Sequence, residues 1–215
     1  MTASVDVYWS FRSPYSYLAT PGMLALRRDF DVEVNLRVVL PLAVRQPDFF
    51  NPENAKRAGY IVRDWPRVAD FLGMPNAWPS PDPIVQDMKT LEIAKEQPYI
   101  YRLSCLGVEA QRRGRGIDFA ARVSRLIFGG TSDWDKGDHL SKAAEADGLD
   151  FASMEEAVVG ESQMEEVEAN QTTLEASGHW GVPTFVFEGE SFFGQDRIDV
   201  LRWRLDKRGV PRTGD

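Results

Sequence analysis

The residues equipped for chemistry stand near the two ends of the chain. Near the start is Ser13-Pro14-Tyr15-Ser16, which keeps the spacing of a Cys-x-x-Cys redox motif but carries hydroxyls in place of both sulfurs. Near the end are Gly181-Val182-Pro183-Thr184 and Phe193-Gly194-Gln195-Asp196-Arg197. A serine followed by proline at a strand-to-helix turn sets its hydroxyl among unpaired N–H groups and the positive end of the helix dipole, where an anion is favoured. The same pair opens helices that do no chemistry, so the turn alone leaves an ordinary N-cap open. Proline at a strand entrance cannot donate to a ladder. Pro183 is therefore either an edge residue or part of a cis bond that turns Val182 outward to an extended peptide ligand; a cis Val182–Pro183 bond beside Ser13 is the expectation. Asp196 at a helix start can cap the helix or hold a ligand amine.

The remaining reactive types read more plainly. His139 and His179 have no ligand spacing, so no metal site is expected. His179 reads as a surface or capping residue, with a proton shuttle as the alternative. Cys105 is the single cysteine, which excludes an internal disulfide and redox-pair chemistry. It falls on an apolar helical face and reads as a small buried hydrophobe. Trp65, Trp78 and Trp134 read as core, with a pocket wall as the alternative.

Positioning these residues requires elements at both ends. Val5–Trp9 alternates as a strand, a helix follows from Tyr17 through Arg27, and residues 31–39 form a second strand, giving a parallel pair with a right-handed crossover. The loop of residues 45–52 either walls a pocket with its aromatics and Asn51 or simply connects. From residue 54 to about 160 the pattern is helical, with helices predicted over 84–95, 99–112, 117–128, 139–147 and 154–159. Pro66 is expected to kink or restart the helix that carries Tyr60 and Asp64. A helix over 164–177 leads to strands at 184–187 and 191–193, joined by Glu188-Gly189-Glu190. A last helix runs from about Arg197 to Lys207 with Asp196 as its N-cap. This order predicts an α/β, thioredoxin-like four-stranded mixed sheet (residues 1–43 and 161–215) with an inserted all-α domain (44–160).

The totals narrow the function. The chain has 215 residues and a net charge of −8, which argues against nucleic acid or an anionic membrane as partner. Its start lacks a basic segment followed by a long apolar core, and no apolar run is long enough to span a bilayer. A cytoplasmic protein is expected.

Taken together, Ser13-Pro14-Tyr15-Ser16-Tyr17-Leu18-Ala19, Gly181-Val182-Pro183-Thr184-Phe185 and Phe193-Gly194-Gln195-Asp196-Arg197 resemble the 2-hydroxychromene-2-carboxylate isomerase family. The kappa-class glutathione transferases are its relatives, and both have DsbA-like thioredoxin folds. Arg63-Asp64 and Arg67-Val68-Ala69 add weaker matches. The resemblance implies that glutathione is the cofactor and that Ser13 faces its sulfur. Val182, before Pro183, would bond the cysteinyl backbone, and Gln195 and Asp196 would hold the γ-glutamyl end. Arg57 stands where relatives carry lysine, with Lys56 beside it; Asn51 stands nearest the family asparagine, and Trp180 replaces a phenylalanine. The implied partners are glutathione and a small, aromatic organic electrophile, with a homodimer as an option. Isomerisation or thiol transfer is one reading. The other is a non-catalytic thiol- or peptide-binding protein that has lost the redox cysteine pair.

Overall fold

The computed structural model describes residues 2–46, 55–87, 89–90 and 92–214, and only the backbone of Ala55 and Arg57. Strand β1 (Ala3–Trp9) alternates so that Val5, Val7 and Trp9 are fully buried. It is one of two inner strands in a four-stranded sheet completed by β2 (Val32–Val38), β3 (Thr184–Phe187) and β4 (Glu190–Phe193), in the order β2-β1-β3-β4. β1 runs parallel to β2, with Val5 opposite Val34 and Val7 opposite Leu36. It runs antiparallel to β3, with Val7 opposite Phe185, and β3 in turn is antiparallel to β4. The mixed sheet and its parallel β1–β2 pair agree with the sequence reading. Between β3 and β4, Glu188 (φ 50°) and Gly189 (φ 79°) are both left-handed. That is the signature of a two-residue type I′ turn, so Glu190 already belongs to β4.

Helix α1 (Pro14–Asp29) follows β1. The long inserted stretch holds α2 (Leu42–Arg45), α3 (Ala55–Phe71), α4 (Ile100–Arg112), α5 (Gly116–Phe128), α6 (His139–Glu145) and α7 (Phe151–Ala157). Helix α8 (Ser162–Ala176) returns the chain to β3, and α9 (Ile198–Lys207) closes it. One continuous core joins the sheet to the inserted helices. Phe11, in the turn after β1, meets Phe119 of α5 edge-on at 6.1 Å, and Trp65 of α3 meets Phe128 of α5 at 5.7 Å. Gly107 lets α4 approach closely: a Cβ there would stand 2.7 Å from Phe11 and 2.9 Å from Val38. Cys105 is buried on this helix, as its apolar surroundings predict.

The structure departs from local expectations in three places. The described residues between 84 and 95 are not helical; Gln86 pairs with Ile93 in an isolated antiparallel bridge. Side chains have taken the helix's hydrogen bonds: the Asp87 carboxylate accepts from the Lys89 and Thr90 N–H groups, and the Gln97 amide binds Val85 at both N–H and carbonyl. Pro66 does not restart the helix: α3 runs through it as one element, with Trp65 packed in the core. Asp196 is not the N-cap of α9. A 3₁₀ turn (Gln195–Arg197) intervenes after Gly194 (φ 105°), and α9 begins at Ile198 without a side-chain cap.

Candidate active site

Ser13 caps α1 as its sequence predicts. Its Oγ accepts from the Ser16 N–H at 3.2 Å, and Pro14 fills the first helical position, where its missing N–H costs nothing. Among the described residues, the Tyr15 N–H has no hydrogen-bond partner at the dipole's positive end. With one of its two lone pairs engaged by Ser16, the Ser13 hydroxyl still has its proton to give. It donates to the Val182 carbonyl at a long 3.4 Å, a bond weak enough to exchange for a better acceptor. Two segments separated by 169 residues thus meet at one hydroxyl.

The Val182–Pro183 bond is cis, and the short ledge before it is held almost group by group. The Trp180 carbonyl accepts from Arg45 Nη2 at 2.8 Å, and the Gly181 carbonyl accepts from Thr184 Oγ1 at 2.7 Å. The Gly181 N–H donates to His179 Nδ1 at 2.9 Å, which fixes the neutral ring with its proton on Nε2. Phe193 stacks on that ring at 3.9 Å between centroids. Among the described residues, the Val182 N–H has no hydrogen-bond partner. An extended ligand running along the ledge would meet that N–H and the carbonyl beside it.

Ser13 and Val182 open onto a cavity of about 500 Å³, well within the range of small-molecule sites. Its apolar wall includes Pro41, Leu42, Ile61, Trp180, Val182 and Phe193. Tyr15 and Tyr60 stand at the α3 side. The Tyr15 hydroxyl donates to Asp64 Oδ2 at 2.6 Å, and burial together with that carboxylate pushes its pKa well up, so it stays a neutral donor. Burial pushes the Asp64 carboxyl up, but hydrogen bonds from Tyr15, Arg67 and Tyr60 outweigh it and hold the group below the usual range.

The other predicted residues divide. Gln195 and Asp196 lie on the 3₁₀ turn beyond Gly194, outside the cavity wall, and Asp196 pairs with Arg197 at 2.7 Å. Pro183 is buried behind Val182. Arg57 lies in the first turns of α3 with Lys56, which does line the cavity. Asn51 falls outside the described residues. Among the described residues no group of three His, Cys, Asp or Glu side chains could hold a metal. Trp65 and Trp134 are buried core residues, and Trp78 is half-exposed; none of them lines the cavity. The sequence reading assigned no role to Arg12, Arg45 or the Tyr15–Asp64 pair. Only the run of a cation directly before Ser13 could have pointed to the first; the partners of the others lie too far along the chain.

A central sheet interrupted by helices, with a capped first helix facing a cis-proline ledge, defines a thioredoxin-fold protein of the DsbA type. The chain belongs to the DSBA-like thioredoxin domain family, which it matches over residues 4–206. It is 24% identical over 205 residues to the 2-hydroxychromene-2-carboxylate isomerase of Sphingobium xenophagum, covering 94% of this chain and 97% of that one. Among solved structures, a 2-hydroxychromene-2-carboxylate isomerase superposes with a TM-score of 0.70 at 21% identity over 95% of both chains. The cytosolic disulfide reductase DsbM of Pseudomonas aeruginosa, solved with GSH, superposes with a TM-score of 0.58 at 16% identity, covering 94% of this chain and 99% of that one. At these identities the structural likeness concerns the fold.

Proposed function

We propose that this protein is a glutathione-dependent enzyme that isomerises a small aromatic electrophile or transfers a thiol to it, in the manner of a 2-hydroxychromene-2-carboxylate isomerase. The observation that carries the reading is the Ser13 hydroxyl. Its proton is held only by a 3.4 Å contact to Val182, at a helix N-terminus and at the wall of an apolar cavity. Bound glutathione supplies a thiolate nucleophile. The chain's part is to favour that anion: the Ser13 proton, the unpaired Tyr15 N–H and the α1 dipole all act in the same direction. A free thiol titrates near about 8.5, and lowering it by about 1.5–2 units, worth roughly 2–2.7 kcal/mol, makes the thiolate the major form at pH 7. In this reading the Val182 N–H and carbonyl hold the cysteinyl backbone, with Pro183 fixing the ledge. Gln195 and Asp196 receive the γ-glutamyl end, Asp196 exchanging Arg197 for the ligand amine. Arg57 and Asn51 complete the glutathione contacts. The reading extends to a cytoplasmic protein, to a homodimer as an option, and to a domain division at residues 43/44 and 160/161.

The test is a titration of thiolate absorbance in the glutathione complexes of wild type and Ser13→Ala, with turnover of a conjugated aryl ketone measured alongside. Wild type is expected to titrate well below the free thiol and Ser13→Ala close to it, with turnover down tenfold or more. Unchanged thiol titration and turnover in Ser13→Ala would reduce the hydroxyl to a helix cap and end the assignment. Glutathione binding with an unshifted thiol and no turnover would instead mark a binding protein.

A further inference from the structure

The ledge before Pro183 is held from two distances. Thr184 and His179 grip Gly181 from within three residues, which fixes its local shape. Arg45 grips Trp180 across 135 residues, which fixes where the ledge stands in the molecule. Arg12, Arg45 and Lys56 all line the cavity, but they hold different things. Arg12 pairs with Asp82 at 3.1 Å, and Lys56 stands in the first turn of α3. Arg45 reaches the ledge.

Arg45 ends α2, a single helical turn without a side-chain cap, too short to be stable through its own hydrogen bonds. What places the turn is the corner behind it. The Val39 N–H donates to the Trp9 carbonyl of β1, Asn170 Nδ2 donates to the Val38 carbonyl, and the Leu40 N–H donates to Gln171 Oε1. The corner is thus pinned to the sheet and to α8. Arg45 then spans from it to the ledge: Nε donates to the Leu40 carbonyl at 2.9 Å and Nη2 to the Trp180 carbonyl at 2.8 Å. A planar guanidinium carries both bonds in one rigid fork, which a lysine ammonium on its flexible stem does not reproduce. The Arg45 side chain is 6% exposed, and the Glu175 carboxylate stands 4.0 Å away and is itself 58% exposed. Burying a guanidinium in this way adds little to stability, because desolvation offsets the bonds it makes. Its consequence is geometric, since Trp180 comes two residues before Val182.

We infer that Arg45 is a positioning residue: it carries the rigidity of the corner between β2 and α8 to Trp180, and so sets where Val182 meets the backbone of bound glutathione. It acts through the ledge and not on the sulfur, which is the part of Ser13. The inference rests on the glutathione reading, and S-methylglutathione separates the two, because it keeps the peptide backbone and has no ionisable thiol. Binding of glutathione and of S-methylglutathione is followed calorimetrically for wild type, Arg45→Met, Arg45→Lys and Ser13→Ala. The thiol is titrated in each glutathione complex, and thermal melting verifies folding. Arg45→Met is expected to weaken both ligands equally, by roughly tenfold, the scale of one charge-assisted hydrogen bond. The thiol titration of its glutathione complex should stay at the wild-type value, and Arg45→Lys should recover part of the affinity. Ser13→Ala should do the reverse, keeping S-methylglutathione and losing the thiol shift. Unchanged S-methylglutathione affinity in folded Arg45→Met, or a loss confined to glutathione, would overturn the inference. Should Arg45→Met not fold, Arg45→Lys decides: a loss of about threefold on both ligands supports the inference, and unchanged affinity overturns it. A wild type that binds both ligands with an unshifted thiol refutes the thiolate reading and leaves the Arg45 variants to decide this one; a wild type that binds neither refutes both.

Discussion

Ser13 and Ser16 share one helical turn and one side-chain chemistry, yet their surroundings give them opposite expected behaviour. Ser13 faces the cavity, whereas Ser16 is fully buried and its Oγ has no hydrogen-bond partner among the described residues. Ser16→Ala therefore removes a buried hydroxyl that gains nothing. It should leave the glutathione thiol titration at its wild-type value and change stability by no more than about 1 kcal/mol, in the stabilising direction, by urea unfolding. His179 carries a pH dependence of defined sign. Burial depresses its pKa below 6.5, and protonation would also break the bond from the Gly181 N–H. The neutral ring's contribution is complete above about 6.5 and is lost as pH falls below it, because the unfolded chain takes up the proton first. Unfolding free energy measured from pH 7 to 5 should decline less steeply in His179→Gln than in wild type. At this scale the sequence disclosed what lies in short grammar. Ser13-Pro14 and Val182-Pro183 were legible because their neighbours explain them. Arg12 was not, since its partner Asp82 is 70 residues away, nor was Arg45, which reaches Trp180 across 135.

At the scale of elements, period-2 and helical patterns located the strands and most helices, and the misreadings arose where side chains outbid the backbone. The 84–95 segment has helical apolar spacing, but Asp87 and Gln97 bind its backbone groups first. The closeness of α4 to the sheet was equally hidden, since glycine leaves no hydrophobic mark. It is testable. A methyl at Gly107 would press on Phe11 and Val38 in a packed core, so Gly107→Ala should cost about 1–3 kcal/mol in denaturant unfolding. Phe11 stands two residues before Ser13, and the same variant should disturb the thiol titration more than a surface Gly→Ala at Gly160, which has open space and no left-handed backbone.

For the whole molecule, Tyr15 and Asp64 tie the first helix of the sheet unit to the first long helix of the insertion. Tyr15→Phe should cost about 1–2 kcal/mol, measured by urea unfolding at pH 7. Because the Asp64 carboxyl is held below its ordinary 3.8, its stabilisation is complete above that value and is lost as pH falls below it. Asp64→Asn should accordingly be less stable at neutral pH and show a flatter stability profile between pH 4 and 3. The order of patterns along the chain revealed the interrupted sheet but not this tie, which joins residues 49 apart in sequence.

The contact between Ser13 and Val182 also sets a schedule for biosynthesis. The ribosome delivers Ser13 early and Val182 169 residues later, an interval of about 8–34 seconds at 5–20 residues per second. Throughout it, β1 can pair with β2, but its other edge must wait for β3, and an unpaired inner edge invites association with other nascent chains. The inserted helices, built from local contacts, can form while the chain waits. A ribosome stalled anywhere before Val182 therefore holds a chain with a helix cap and no ledge, competent to recruit a chaperone long before it can recruit a substrate.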